Sequence, residues 1–417
     1  MCLLNTIIMS DNTNDNTNVN ANTNVNDNTN DEVTVSVAAT EINSWEELNT
    51  KLPLLRGIYA TGFERPSPIQ RKAILPIFNK RDVIAQAQSG TGKTACFAIG
   101  VLENIDLTLK KTQAIILSPT RELSIQTKDV LDQIGRLFPE LTTQLLIGGT
   151  IIREDIRLLE ENTPHVVIGC PGRIHDMLKR NKLSNKNISM LVFDEADELL
   201  SDGFKTQVYN IFQFMPQNIQ VVLFSATIPQ ELYKLTEKFM RDPVKILVKS
   251  EQLTLEGIRQ YYVGLENDDQ KYETLKDIYG SLAVSQSIIY CNSVKRVEML
   301  YQAMNNDQFP VCQIHSNMEK EERIRNYEEF KSGKHRVLIS SNVTARGIDI
   351  QQVSTVINFD VPTCVHTYLH RIGRSGRWGR KGVGINFVTM RDMRLIKDIE
   401  QFYHTQINEL TDNWAAS

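Results

Sequence analysis

Three stretches hold residues whose types and spacing could do chemistry. In LVFDEADELL, residues 191–200, four acids (Asp194, Glu195, Asp197 and Glu198) follow directly on an apolar run. Met190, Leu191, Val192 and Phe193 read as a short buried strand, and the carboxyl edge of a parallel sheet is where ligands bind. Carboxylates there either meet a cation or begin a solvated helix, whose first turn favours acids through its dipole. In AQSGTGKT, Ala87 to Thr94, the sequence matches the phosphate-loop template with Ala87 in place of its first glycine. Gln88, Ser89 and Thr91 complete the loop. Gly90 and Gly92 let backbone N–H groups wrap phosphate oxygens at a helix start, Lys93 can reach the β and γ phosphates, and the Thr94 hydroxyl can ligate Mg²⁺. The partner of such a loop is an acid ending a neighbouring strand, a part that Asp194 can take through its own oxygen or a water. Glu195 beside it can orient or deprotonate an attacking water. In YLHRIGRSGRWGR, residues 368–380, Arg371, Arg374 and Arg377 recur every three residues with glycines between them. That density of cation and bare backbone suits a γ-phosphate approached from across a cleft, with Arg374 and Arg377 as arginine fingers, or an RNA backbone alone.

These residues need a sheet to position them. From residue 81 onward RDVIAQA, QAIILSPT, TQLLIGG, HVVIGCP, MLVFDEA and VVLFSAT each end at a small or polar residue, and most lead into an amphipathic segment. That is a doubly wound parallel sheet. The rhythm breaks over KILVKSEQLTLEGIRQ, residues 245–260, and resumes with SIIYCNS, PVCQIHS, RVLISSN, STVINFD and GVGINFVT. Two α/β domains are expected, residues 41–248 and a smaller one at 257–417, joined by a linker at 249–256, with the working site in the cleft between them.

The composition excludes several classes. With 46 basic and 50 acidic residues the 417-residue chain carries a net charge of −4, so any nucleic-acid site must be a local patch. Cys2, Cys96, Cys170, Cys291, Cys312 and Cys364 form no C-x-x-C pair, which suggests neither a zinc ribbon nor a disulfide framework and fits a reducing cytosol or nucleus. No run approaches the roughly 18 apolar residues of a membrane span, and MCLLNTIIM is too short and uncharged for a signal peptide. Residues 10–30 are Asn/Thr/Asp repeats without the apolar residues of a core, so residues 1–40 read as a disordered tail, with Met9 an alternative start.

The ordered motifs resemble those of the DEAD-box RNA helicases, spelled by Asp194, Glu195, Ala196 and Asp197 and running from about residue 44 to 410. The resemblance implies two tandem RecA-like domains, ATP as fuel with Mg²⁺, and RNA, as single strands or short duplexes without sequence preference, as partner of a monomer. GFERPSPIQ, residues 62–70, looks like the family's Q motif, in which Phe63, Arg65 and Gln70 would surround adenine and the Gln70 amide would pair with its N7 and N6 edge. Trp45 stands where the family has an aromatic stacked on the base. Asp349, with Gly347 in ARGID, would contact the ribose, and His370 would link to the DEAD segment. Ser225 and Thr227 of SAT would couple that segment, through Asp197, to strand separation.

PTRELSIQ (Pro119, Thr120, Arg121), Gly148-Gly149 and CPGR (Pro171, Gly172, Arg173) correspond to the family's first-domain RNA-backbone motifs, and Asn292, Ser293, His315, Arg323, Ser341 and Asn342 to those of the second. Such groups grip phosphates and sugars without reading bases. The chain departs from the pattern at several positions. Cys170 replaces a threonine, His315-Ser316-Asn317 stands for His-Gly-Asp, Lys320 for glutamine and Ser341-Asn342 for threonine-aspartate. Two lost acids and one gained base imply a second domain that leans on phosphate charge, or else neutral drift.

Within the family, GIYATGFERPSPIQ and ILVKSEQLTLEGIRQYYV look most like the translation initiation factor 4A subfamily, which implies a cytoplasmic or nuclear enzyme working on messenger RNA leaders with initiation scaffold proteins. The other readings are an exon-junction-type ATP-dependent RNA clamp, a non-catalytic RNA-binding scaffold and a DNA translocase. In the family, ATP and RNA each bridge the two domains, the closed form bends one strand, and hydrolysis reopens the clamp without travel along the RNA.

Overall fold

The computed structural model describes residues 41–88, 90–201, 203–247, 258–281, 286–345, 353–375 and 382–410. The apolar runs become strands because their residues alternate between two cores. In the first sheet Val83 and Ala85, Ala114 and Ile116, and Val222 and Phe224 pack on one face. Ile84, Ile115, Leu117, Val221 and Leu223 pack on the other. A strand buried on both faces must be covered by helices on both, which is the doubly wound arrangement expected from sequence.

That sheet holds seven parallel strands in the order β3-β4-β2-β5-β6-β1-β7. They are β1 (Val83–Gln86), β2 (Ala114–Leu117), β3 (Thr143–Leu146), β4 (Val166–Gly169), β5 (Met190–Asp194), β6 (Gln220–Ser225) and β7 (Val244–Ile246). The second sheet, also of seven parallel strands, runs β10-β11-β9-β12-β13-β8-β14. Its strands are β8 (Ile258–Leu265), β9 (Ser287–Tyr290), β10 (Val311–Ile314), β11 (Val337–Ser340), β12 (Thr355–Asn358), β13 (Gly382–Thr389) and β14 (Asn408–Glu409). Ile288 and Tyr290 face one core of this sheet and Ile289 the other.

The break in rhythm at 245–260 conceals structure at both ends. β7 closes the first sheet beside β1, and β8 pairs with β13 along its whole length, from Ile258 opposite Gly382 to Leu265 opposite Thr389. None of the cysteines described (Cys96, Cys170, Cys291, Cys312 and Cys364) is in a disulfide. Among the described residues no helix is long and apolar enough to cross a membrane. The tail and the linker expected at 249–256 lie outside the described residues.

Candidate functional site

Because the strands are parallel, all of them point their carboxyl ends at one edge, and β6 sits between β1 and β5. The phosphate loop after β1 and the acids after β5 therefore converge. The loop enters the helix Lys93–Asn104 through Gly90 (φ 81°) and Gly92 (φ 91°), and a Cβ on Gly92 would lie 2.5 Å from the Gln70 amide nitrogen. Thr91 Oγ1 donates to the Gln88 carbonyl at 2.7 Å. Lys93 Nζ reaches across to Glu195 Oε1 at 3.4 Å, with both side chains buried.

Asp194, the last residue of β5, is buried, and its Oδ2 has no hydrogen-bond partner. Burial, reinforced by the charge of Glu195, pushes its carboxyl up to about 7, against the pull of Lys93. A buried carboxylate oxygen without a donor fits a divalent cation, with the part-buried Thr94 hydroxyl at the helix start as second ligand. Glu195 adopts a left-handed backbone, φ 52° and ψ 57°, which costs a non-glycine residue about 1 kcal/mol or more. This strain sits where the water-orienting carboxylate was expected.

The structure revises the base-binding residues. Trp45 does not present its face to a base: the indole is wholly buried beside Ile42 and Leu48 in the first-domain core, and Nε1 donates to the Phe63 carbonyl at 2.9 Å. Its amphipathic ring holds the Q segment in place from beneath. Phe63 remains part-open and Arg65 exposed. Gln70 is buried, accepts from the Ser67 backbone N–H at 2.7 Å and donates to the Gly92 carbonyl at 3.1 Å. One N–H and one lone pair remain for an adenine edge. Since the same amide braces the phosphate loop, Gln70→Ala is expected to weaken ATP binding and to reduce ATP-over-GTP preference together. Titration of both nucleotides checks this, and a variant that kept the parental preference would remove Gln70 from base recognition.

Asp197, Thr227, Ser225 and His370 form one buried unit. Asp197 Oδ2 accepts from Thr227 Oγ1 at 2.7 Å and pairs with His370 Nε2 at 2.8 Å, while Asp197 and Thr227 N–H groups both point at Ser225 Oγ, at 3.3 and 3.4 Å. A second-domain histidine thus closes on the first-domain acid segment. Arg374, also buried, donates from Nε to the His370 carbonyl at 3.1 Å. Ser89, Gly347, Asp349 and Arg377 lie outside the described residues.

Of the residues expected on RNA, Pro119, Thr120, Arg121, Gly148, Gly172 and Arg173 meet Arg323 and Asn342 around one cavity of about 620 Å³. Thr120 caps the helix Arg121–Ile134, accepting from Leu123 N–H, and Pro171 opens the helix Pro171–Lys179, so two helix starts face this edge. Gly149 is needed where it stands because its φ of 85° strains any residue with a Cβ, and it lies against the Arg121 guanidinium. Arg173 is tied to Asp155 and donates to Thr150 Oγ1 at 2.7 Å, so it braces the turn after Gly148-Gly149. Cys170 also lines the cavity, its Sγ 3.7 Å from Ser124 Oγ.

Other residues expected on RNA stand outside this cavity. Asn292, Ser293, His315 and Ser341 are absent from the cavity lining, as are Gly149 and Pro171. Asn292 donates to the Val361 carbonyl at 2.9 Å, Ser293 caps the helix Val294–Asn306, and His315 is buried, which lowers its pKa. Ser316 and Asn317 are exposed and bonded to each other at 3.1 Å, and Lys320 opens the helix Lys320–Lys331. Arg323 pairs with Glu122 of the first domain at 2.7 Å, both largely buried, and Gln126 donates to Tyr327 at 2.9 Å. These two cross-domain contacts, like the cavity-lining Phe204 and Gln207, were missed from sequence. Replacing one partner of a buried pair strands the other. Glu122→Arg is therefore expected to weaken RNA-stimulated ATPase at least about tenfold while the double exchange Glu122→Arg/Arg323→Glu recovers most of it; a double variant no better than the single one would exclude the pairing.

The family model "DEAD/DEAH box helicase" matches residues 67–235, and "Helicase conserved C-terminal domain" matches residues 270–379. The chain is 52% identical over 374 residues to the ATP-dependent RNA helicase eIF4A of Chaetomium globosum, covering 90% of this chain and 94% of that protein. It is 52% identical over 376 residues to the ATP-dependent RNA helicase FAL1 of Mycosarcoma maydis, covering 90% and 93%. Among solved structures, S. cerevisiae Dbp5 bound to RNA and ADP BeF3 superposes with a TM-score of 0.83 at 34% identity, over 90% of this chain and 97% of that one.

Proposed function

This chain belongs to the DEAD-box family of ATP-dependent RNA helicases, and from that premise we propose that it separates short RNA duplexes locally, by closing two domains around ATP and RNA and reopening after hydrolysis. The observation that carries the reading is the buried His370–Asp197 bond between the domains, at 2.8 Å. It joins the helix that leads into Arg374 to the segment that bears Asp194 and Glu195, and through Thr227 to the end of β6. Closure therefore assembles the hydrolytic groups and the RNA cavity at one time.

The residues divide the work. Backbone N–H groups from Gly90 to Thr94 cradle the phosphates, and Lys93 leaves Glu195 to meet them. Asp194 and Thr94 would hold Mg²⁺, which supplies charge neutralisation between the phosphates. Glu195, released from Lys93, orients the attacking water and accepts its proton. Arg374 brings positive charge to the developing γ-phosphate charge. Phe63 and Gln70 select adenine. Thr120, Arg121 and Gly148 grip the RNA backbone from the first domain while Asn342 and Arg323 complete the cavity from the second.

The eIF4A names of relatives support translation initiation as the process; messenger RNA leaders as substrate, initiation scaffolds as partners and the cytoplasm as site are the further parts of this proposal. Phosphate release with and without RNA, run beside displacement of a short duplex, tests the activity. RNA-stimulated release with duplex displacement is the expected result. Release without displacement and a long-lived closed complex would assign the chain to an RNA clamp. No release in either condition would leave a binding scaffold.

A further inference from the structure

Arg371 is fully buried, and every group it hydrogen-bonds among the described residues is neutral. Its Nε and Nη2 donate to Asn342 Oδ1 at 2.9 and 2.6 Å. Nη1 donates to Asn358 Oδ1 at 3.2 Å and to the Asp360 carbonyl at 2.8 Å, and Nη2 to Asn292 Oδ1 at 2.7 Å. The guanidinium lies 5.2 Å over the Tyr290 ring. The Asp360 carboxylate is committed elsewhere: Oδ1 meets Lys271 at 3.3 Å and Arg296 at 3.0 Å, and Oδ2 accepts from Asn292 N–H at 3.0 Å. Burial pushes the guanidinium down to about 10, outweighing the smaller coulombic pull of neighbours that include Asp360. A buried charge is ordinarily paired.

Asn342 spans two environments. Its oxygen seals Arg371, while the residue itself is exposed and lines the cavity. The cations that share this lining differ in their balance. Arg173 is matched by Asp155 and Arg323 by Glu122. Arg121 makes no ion pair among the described residues, and Glu198 is the single acid among the lining residues.

We propose that Asn342 leaves the charge of Arg371 uncompensated under the cavity floor, so that an RNA phosphodiester bound there serves as its counter-anion. The inference rests on the assignment of this cavity to RNA. Its consequence is a trade: the free second domain forgoes a carboxylate–guanidinium pair, and RNA gains one unit of attraction that a carboxylate at 342 would cancel. The strand's charge also favours the closed form, since the cavity is complete only when both domains line it.

Asn342→Asp keeps the shape and offers a carboxylate to the same two N–H groups. Its melting temperature is expected to rise by a few degrees. Its single-stranded RNA affinity is expected to fall, with the log-affinity against log-salt slope flattened by up to about 0.7, the loss of one phosphate contact. Asn342→Ala, which alters no charge, is expected to lower the melting temperature and leave the slope unchanged. An Asn342→Asp variant that melted lower than the parent, or that kept the parental slope, would overturn the proposal. Arg121→Ala separates the two levels: reduced RNA affinity there beside an unaltered Asn342→Asp slope defeats only the Arg371 inference, whereas RNA binding untouched by both variants defeats the cavity assignment.

Discussion

Glu195→Gln is expected to bind ATP and RNA at near-parental affinity while hydrolysis falls by about 10²- to 10⁴-fold, the range for removal of a general base. The substitution keeps the size and the left-handed backbone position after β5, and it leaves Asp194 untouched. What it removes is the carboxylate that can take a proton from water. It also releases Lys93, whose 3.4 Å ion pair with Glu195 would weaken to a hydrogen bond from the ammonium to a neutral amide oxygen, so phosphate binding is not expected to suffer. With opening dependent on hydrolysis, the variant accumulates as a closed complex on RNA. Single-turnover hydrolysis and the lifetime of the RNA complex are the measurements. Parental turnover in Glu195→Gln would place the base elsewhere.

The second large effect is at Arg374, where Arg374→Ala is expected to lower RNA-stimulated kcat by about 10³- to 10⁵-fold, the range for loss of an arginine finger. Arg374 follows the helix Val365–Ile372, on whose last turn His370 holds Asp197, and it is fixed by its own bond to the His370 carbonyl. In the proposed mechanism the side chain would reach the catalytic edge only when the domains meet. Arg374→Lys keeps the charge and loses the planar fork, so it is expected to fall between parent and alanine. Nucleotide affinity in the absence of RNA should hardly change. An alanine variant with parental stimulated kcat would remove Arg374 from the reaction and leave the role to Arg377.

The fold was legible where burial leaves a mark in the sequence. A strand covered on both faces is an uninterrupted apolar run, and β1, β2, β4, β5 and β6 each announce themselves in that way. β7 has three residues, and β8 is mostly half-buried or exposed with only the polar Gln260 buried, so neither stands out from a linker. The phosphate loop and the acids were legible because Gly90, Gly92, Lys93 and Asp194 carry their chemistry in their types. Side-chain direction was not. Trp45 occupies an aromatic position yet points into the core, because Ile42, Trp45 and Leu48 pack as one apolar patch. Arg323 reads as an RNA contact, but its partner Glu122 lies 201 residues away, where no local pattern can signal it. The same holds for Arg371, whose asparagine partners come from the ends of β9, β11 and β12. Such contacts belong to the assembled fold.

The most direct measurement of the central claim is the thermodynamic coupling between the two ligands. RNA affinity is measured with and without a non-hydrolysable ATP analogue, and analogue affinity with and without RNA. Closure through His370, Asp197 and Arg323 predicts that each ligand tightens the other by the same factor, at least about fivefold. It further predicts that the factor falls towards one in Asp197→Asn. Equal affinities in the presence and absence of the other ligand would contradict a clamp that RNA and ATP close together.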